Sequence, residues 1–308
     1  MRKNIQTAVI GAGLMGHGIA LTLARAGQYV AITDPVAAAR DTVAARIVDS
    51  LRLLGETGDR IAAILKKIEI FDGIAGAVKE AAFVFEAAPE KMALKQAIFA
   101  EIEAHAPAAA VLASNTSVMP ITQIMSGLKD RSRALGTHWW NPPHLIPLVE
   151  VIRTADTSDQ AMDAMMGLLA DAGKTAVRVE KDVPGFIGNR LQHALWREAI
   201  SLVERGICDA EAVDTVIKAS FGRRLAVLGP LENADLVGTD LTLDIHDTVL
   251  ADLEHRPGPA PLLRQLVAEG RLGMKSGQGF RRWSPDEAKA LREKVVRHLR
   301  ALEGILED

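Results

Sequence analysis

The sequence predicts an α/β protein: a doubly wound, mainly parallel sheet over residues 1–183, then an all-helical domain over 184–308. Three observations carry that expectation. Short continuous apolar runs alternate with longer helical patterns through the first domain, as suits strands covered on both faces. A glycine-rich turn joins the first such run to the first helix. Beyond DVPGFIGNR, whose Asp182 and Pro184 fit a helix N-cap and first turn, the strand-like runs stop.

In chain order, TAVI, YVAIT, KIEIF, AFVFEA, AVLAS, ALGTHW, LVEVIRT and TAVRVEK read as strands. LMGHGIALTLARAG, MALKQAIFAEIEAHA and a segment near 158–172 read as intervening helices, giving the strand–helix alternation of a parallel sheet. Residues 36–66 are long for one crossover and read as a helical hairpin: VAAARDTVAARIVDSLRLL, the turn GETGDR, then IAAILKK. The second domain reads as LQHALWREAISLVERG, AEAVDTVIKAS, one stretch from Leu231 to about Asp252, PLLRQLVAEG and PDEAKALREKVVRHLRALEG. Pro257, Pro259 and Pro261 punctuate a loop.

Composition narrows the function classes. The 308 residues carry 36 Lys+Arg against 39 Asp+Glu, and a net charge of −3 gives no concentrated basic surface for nucleic acid. The hydrophobic class makes up 48% and charged residues 24%, an ordinary soluble composition. A single cysteine, Cys208, excludes an intrachain disulfide and any cysteine-rich metal site. No HExxH pairing occurs among the histidines, so no metal is expected. No signal-like apolar run opens the chain and no stretch has membrane-span length, so a cytoplasmic protein without membrane partners is expected.

Gly11-Ala12-Gly13-Leu14-Met15-Gly16 carries the first chemistry. Its first glycine makes the tight turn and its second lets backbone approach a pyrophosphate. The third lets helix pack on strand, and the helix N-terminus offers amide hydrogens and partial positive charge. Asp34 ends the second strand, roughly 20 residues beyond the glycines, where an acid binds both ribose hydroxyls and repels a 2′-phosphate. A Rossmann-type domain binding NAD rather than NADP follows.

His138 ends ALGTH, ahead of Trp139-Trp140-Asn141-Pro142-Pro143, and Glu150 sits among apolar neighbours in LVEVI. A buried carboxylate needs a partner. Two adjacent strands could bring Glu150 to one imidazole nitrogen and leave the other as a general base. Spacing alone fits a structural histidine and an edge-strand glutamate equally well. Ser114-Asn115-Thr116-Ser117 ends another strand at the edge where open sheets bind ligands, and fits turn chemistry equally well. Lys275 in GMKSGQGF lacks the preceding glycine of a phosphate loop, because Met274 stands there.

GAGLMG with Asp34, SNTS, the His-Trp-Trp-Asn-Pro-Pro run ending in LVEV, and DVPGFIGNR occur together in this order. In them the chain resembles the 3-hydroxyacyl-CoA dehydrogenase family, from Val9 to GMKSGQGF. The resemblance implies a helical domain that builds a homodimer, a general base at His138 and its orienting acid at Glu150. It implies that Ser117 and Asn189 hydrogen-bond the substrate oxygen. To NAD it assigns Gly11, Ala12, Gly13, Leu14, Met15, Gly16, Asp34, Glu90 and Lys95, with Asn115, Asn141 and Lys275 completing the set.

Two departures bear on the small-molecule substrate. Family members that bind CoA carry basic residues along the hairpin, whereas this hairpin reads Ser50-Leu51-Arg52-Leu53-Leu54-Gly55-Glu56-Thr57. The passage FGRRLAVLGPLENADLVGTD, and WWNPPHLIP in place of a Phe-Phe motif, are similar to relatives acting on small free acids: gulonate, carnitine and pyridine-carboxylate dehydrogenases. A 3-hydroxyacyl-CoA is the family's ordinary substrate, and a small hydroxy carboxylate bound by Arg224, or its neighbour Arg223, is the alternative. The β-hydroxyacid dehydrogenases, with a lysine acid/base, are excluded because PGFIGNR has no lysine. A non-catalytic lens-protein-like role conflicts with the four catalytic positions, all filled by the expected residue types.

Overall fold

The structure, a computed structural model, describes residues 6–305; the segment preceding them, over which no signal-like run was expected, lies outside that range. The chain divides into two compact units, Met1–Arg190 and Leu191–Asp308.

The first unit is built on one eight-stranded sheet. Its strands are β1 (Gln6–Ile10), β2 (Tyr29–Thr33), β3 (Ile68–Phe71), β4 (Phe83–Glu86), β5 (Val111–Ser114), β6 (Ala134–Trp139), β7 (Leu148–Ile152) and β8 (Thr175–Val179), in the spatial order β3-β2-β1-β4-β5-β6-β7-β8. All pairings are parallel except β6 with β7. The order reverses between β1 and β4, and an open α/β sheet binds its ligand at such a switch point. β4, β5 and β6 are buried along their whole length, which their continuous apolar runs anticipate.

Helices cover both faces. On one lie α1 (Leu14–Arg25), the hairpin α2 (Ala37–Leu53) and α3 (Gly58–Leu65), and α7 (Asp159–Asp171), packing Ile19, Leu23, Ile47 and Met165 against Val9, Ile32 and Val149. On the other lie α4 (Ile74–Val78), α5 (Met92–His105) and α6 (Ile121–Ile124), packing Val78, Phe99 and Ile121 against Ala8, Val84 and Leu112. Thr57 caps α3 by accepting from the Arg60 amide, and Ser158 caps α7 from Ala161. The short helices α4 and α6 carry too few residues to show helical periodicity in sequence.

One local expectation is corrected. Asp182 does not cap a helix; its carboxylate accepts from the Thr122 amide and hydroxyl. The helix α8 (Gly188–Glu204) starts later, after Gly185 and Phe186 take positive φ.

The second unit is helical: the rest of α8, then α9 (Ala210–Ala219), α10 (Pro230–Val237), α11 (Thr239–Val249), α12 (Pro261–Ala268) and α13 (Pro285–Ile305). The expected single stretch from Leu231 is two helices, broken at Gly238, whose φ of 101° no helix accommodates. Among the described residues, Leu266 and Ala288 are this unit's buried apolar side chains, and α9, α10 and α11 bury none.

Candidate active site

At the switch point, the glycine turn is built as the chemistry requires. Gly11 has φ 108°, and a Cβ there would lie 2.7 Å from the Ala87 carbonyl oxygen. A Cβ on Gly16 would lie 1.8 Å from the Gly11 oxygen, so only glycine lets α1 sit this close to β1. Gly13 differs: a Cβ there meets nothing within 4 Å, and no side chain caps α1. Open space therefore stands over an uncapped helix N-terminus, which fits a pyrophosphate. Asp34 turns back to this turn, its Oδ2 accepting from the Ala12 amide at 2.8 Å and its Oδ1 from Val36 at 2.9 Å. Both oxygens keep lone pairs for ribose hydroxyls.

Antiparallel pairing places His138 on β6 directly opposite Glu150 on β7. The two are buried, and His138 Nδ1 lies 2.7 Å from Glu150 Oε2. Glu150 Oε1 accepts from the amides of Ile187 and Gly188 at 2.8 and 3.0 Å. Burial pulls the Glu150 carboxyl upward, but the hydrogen bond from His138, those two amides and the His138 charge outweigh it and hold it below its ordinary value. Glu150 therefore stays ionised, Nδ1 of His138 carries the proton, and Nε2 remains as the basic nitrogen. Trp140 and Phe186 pack around the imidazole, with ring centroids 5.1 and 5.6 Å away.

Ser117 is exposed just beyond β5, and Asn189 Nδ2 donates to its carbonyl oxygen at 2.7 Å. Glu90 holds the same loop, accepting from the Thr116 hydroxyl at 2.8 Å and the Ser117 amide at 2.7 Å. Asn115 Oδ1 accepts from the Trp139 amide, tying the SNTS segment to the strand that carries His138. His138, Glu150, Ser117, Asn189, Glu90 and Asn115 thus belong to one hydrogen-bonded region of the first unit. Met15 is half-buried on α1, Leu14 and Asn141 are exposed, and Asn141 precedes a cis-proline bond.

Lys95, on α5, sits in a buried ion pair at the foot of the segment that follows β4. It is fully buried, and its Nζ donates to Glu86 Oε1 at 2.7 Å and to the Ala88 oxygen at 3.0 Å. Lys275 lies in the second unit, exposed in a short 3₁₀ turn (Met274–Ser276) beside an apolar cavity of about 590 Å³. Arg223 and Arg224 are also in the second unit, and both are exposed.

Sequence reasoning missed Glu86, which reads as a strand residue in an apolar run. A charged residue at the end of an otherwise apolar strand was the available signal. Also missed was the state of the hairpin cations. Arg46 donates to the carbonyls of Ala12, Gly13 and Ala39, Arg40 donates to the Asp34 carbonyl, and Arg52 pairs with Asp49. Arg25 and Arg60 pair with Glu56, and Lys67 donates to Gly27. Ser50 is buried with its hydroxyl 3.4 Å from His17 Nε2.

An open α/β sheet with a glycine turn at its switch point, an acid at the ribose position and a buried His–Glu pair defines a dinucleotide-dependent oxidoreductase. Comparison with known proteins sets its lineage. The family profile for the 3-hydroxyacyl-CoA dehydrogenase NAD binding domain matches residues 6–183, and that for the family's C-terminal domain matches 185–283. The chain is 36% identical, over 100% of its length and 99% of the other's, to 5-formyl-3-hydroxy-2-methylpyridine 4-carboxylate 5-dehydrogenase of Mesorhizobium japonicum. It is 39% identical to a probable 3-hydroxybutyryl-CoA dehydrogenase of Bacillus subtilis, over 89% of this chain and 96% of that one. Among solved structures, a 5-formyl-3-hydroxy-2-methylpyridine 4-carboxylic acid 5-dehydrogenase, described as an NAD⁺-dependent dismutase, superposes with TM-score 0.91 at 35% identity, covering 98% of both chains. The (S)-3-hydroxybutyryl-CoA dehydrogenase of Ralstonia eutropha superposes with TM-score 0.76 at 34% identity, covering 91% and 99%. The chain belongs to the 3-hydroxyacyl-CoA dehydrogenase family. It is an NAD-dependent dehydrogenase acting on a hydroxyl-bearing carbon.

Proposed function

We propose that this dehydrogenase oxidises the secondary alcohol of a small hydroxy carboxylate, reversibly, with His138 as acid/base. The His138–Glu150 pair at the carboxyl edge of the sheet carries the chemistry. Bound at the glycine turn, NAD would supply the hydride acceptor. His138 Nε2 removes the proton of the substrate hydroxyl during oxidation and returns it in the reverse direction. Glu150 keeps the imidazole in the needed tautomer and stabilises the imidazolium that forms. Ser117 and Asn189 hydrogen-bond the substrate oxygen. Gly11 to Gly16 and Asp34 hold the dinucleotide, with Glu90, Asn115, Asn141 and Lys275 as further contributors.

The hairpin favours a free acid over a CoA thioester. The phosphates of CoA call for available cations; Arg40, Arg46, Arg52, Arg60 and Lys67 already meet partners within the unit, which leaves exposed Lys66 as the hairpin's cation for that role. Exposed Arg224 is the candidate for a carboxylate, because a guanidinium fixes both charge and orientation. The closer superposition on the pyridine-carboxylate enzyme than on the Ralstonia hydroxybutyryl-CoA enzyme supports the same reading. A second reading, a 3-hydroxyacyl-CoA substrate and a place in fatty acid metabolism, has support in the 39% identity to the Bacillus protein.

Steady-state NADH absorbance with 3-hydroxybutyryl-CoA set against free hydroxy acids, pyridine carboxylates included, separates the two. Arg224→Ala should raise KM for the free acid by one to two orders of magnitude, about 1.5–3 kcal/mol for a charged hydrogen-bond pair. Turnover of the thioester alone, unchanged by Arg224→Ala, would refute the carboxylate reading.

The protein is further read as a homodimer joined through the second unit, whose α9–α11 leave Val216, Leu231, Leu236, Leu243 and Val249 exposed. It is read as cytoplasmic, with no nucleic-acid partner. Among the described residues, no helix is long and apolar enough to cross a membrane.

A further inference from the structure

We propose that Glu86 is a positioning residue for NAD, acting with Lys95 to set the wall of the dinucleotide crevice that faces the glycine turn. That wall is the segment Ala87–Glu90, between β4 and α5. It lies against the turn: the Ala87 amide donates to the Ile10 oxygen, and the Ala87 oxygen occupies the space a Gly11 side chain would need.

Glu86 and Lys95 have no solvent exposure, and Lys95 Nζ lies 2.7 Å from Glu86 Oε1. Glu86 Oε1 also accepts from the Ala88 amide at 2.7 Å, while Lys95 donates to the Ala88 carbonyl oxygen at 3.0 Å. Both polar groups of Ala88 are therefore gripped by opposite members of one buried ion pair. The other oxygen, Glu86 Oε2, accepts from the Ser114 hydroxyl at 2.6 Å, and the Glu86 backbone oxygen accepts from the Asn115 amide. One side chain thus joins the roots of two loops, the crevice wall and the segment leading to Ser117. Glu90, 3.9 Å from Lys95 Nζ, joins the same loops at their tips through Thr116 and Ser117.

Stability does not account for such a pair. Desolvating two charges costs about what their attraction returns, and apolar replacements of both are often neutral or stabilising. What two apolar side chains could not do is hold the N–H and C=O of Ala88 in one orientation. The inference rests on this unit binding NAD, and it does not depend on which alcohol is oxidised.

The test compares Glu86→Gln, Lys95→Met and the double variant, in the full-length protein, by NADH binding fluorescence and thermal melting. Positioning predicts that all three bind NADH at least about tenfold more weakly, the scale of losing hydrogen bonds to a charged group. It also predicts that the double variant, with no buried charge left unpaired, melts within a few degrees of wild type. In the double variant, kcat at saturating NAD should fall while substrate KM changes little. If the double variant binds NADH within twofold of wild type, the proposal is overturned. If Glu86→Gln, which keeps the Lys95 ammonium, binds NADH as well as wild type while Lys95→Met does not, Lys95 contacts the dinucleotide itself and the positioning role of Glu86 is wrong.

Discussion

The acid/base role proposed for His138 rests on what its Nδ1 touches. An ionised Glu150 at 2.7 Å, fixed in turn by two backbone amides, leaves Nε2 as the proton acceptor. His138→Asn should lower kcat by about 10²–10⁴ while NADH binding survives, since losing a general base costs on that order. A variant with near wild-type turnover would sink the mechanism. Asp34 is the second residue with a separable effect. Its oxygens take the Ala12 and Val36 amides, so its charge is held beside the glycine turn, as the ribose-binding role proposed for it requires. Asp34→Ala should weaken NAD binding and narrow the preference over NADP, read from the two dissociation constants. An unchanged ratio would place the cofactor selectivity elsewhere.

At the scale of elements, the loop after β6 packs on α1 through a pair of histidines. His17 and His144 have ring centroids 6.1 Å apart, and a Cβ on Gly18 would lie 3.3 Å from His144 Nδ1. Burial first, then the charges of His17 and Lys174, lower the pKa of His144 from 6.5 to about 4. Burial also lowers that of His17. Below pH 6.5 the unfolded chain therefore takes up protons that the folded chain refuses. The stability held above pH 6.5 should drain away continuously as pH falls toward 4. Melting temperatures measured across that window should decline, and His144→Gln should decline less steeply. Parallel curves would show that the pair does not govern acid stability.

For the molecule as a whole, the two units are built on different terms. The first encloses two apolar layers around its sheet. The second leaves three successive helices without a buried residue, and burying a single leucine is worth about 1.5–3 kcal/mol. So much exposed apolar surface calls for a partner, and a second copy of the chain is the one the reading above assigns. Sedimentation at micromolar concentration should give twice the chain mass. Leu236→Glu with Leu243→Glu should shift it toward one chain mass and lower the melting temperature. A wild-type monomer would contradict the dimer.

The sequence by itself determined the architecture of the first unit, because its signals are local. Apolar runs buried on both faces, glycines that only a tight turn requires and an acid at a strand end need no distant partner to be read. Adjacent strands likewise brought His138 and Glu150 within reach of being paired on paper. Tertiary structure decided what depends on distant contacts. It turned Asp182 from a helix cap into a partner of Thr122, and set Lys95 in a buried pair with Glu86. It also occupied the hairpin arginines with carbonyls and carboxylates that sequence does not place beside them. A charged side chain takes its role from the group that satisfies it, and in a folded chain that group is set by packing rather than by order along the sequence.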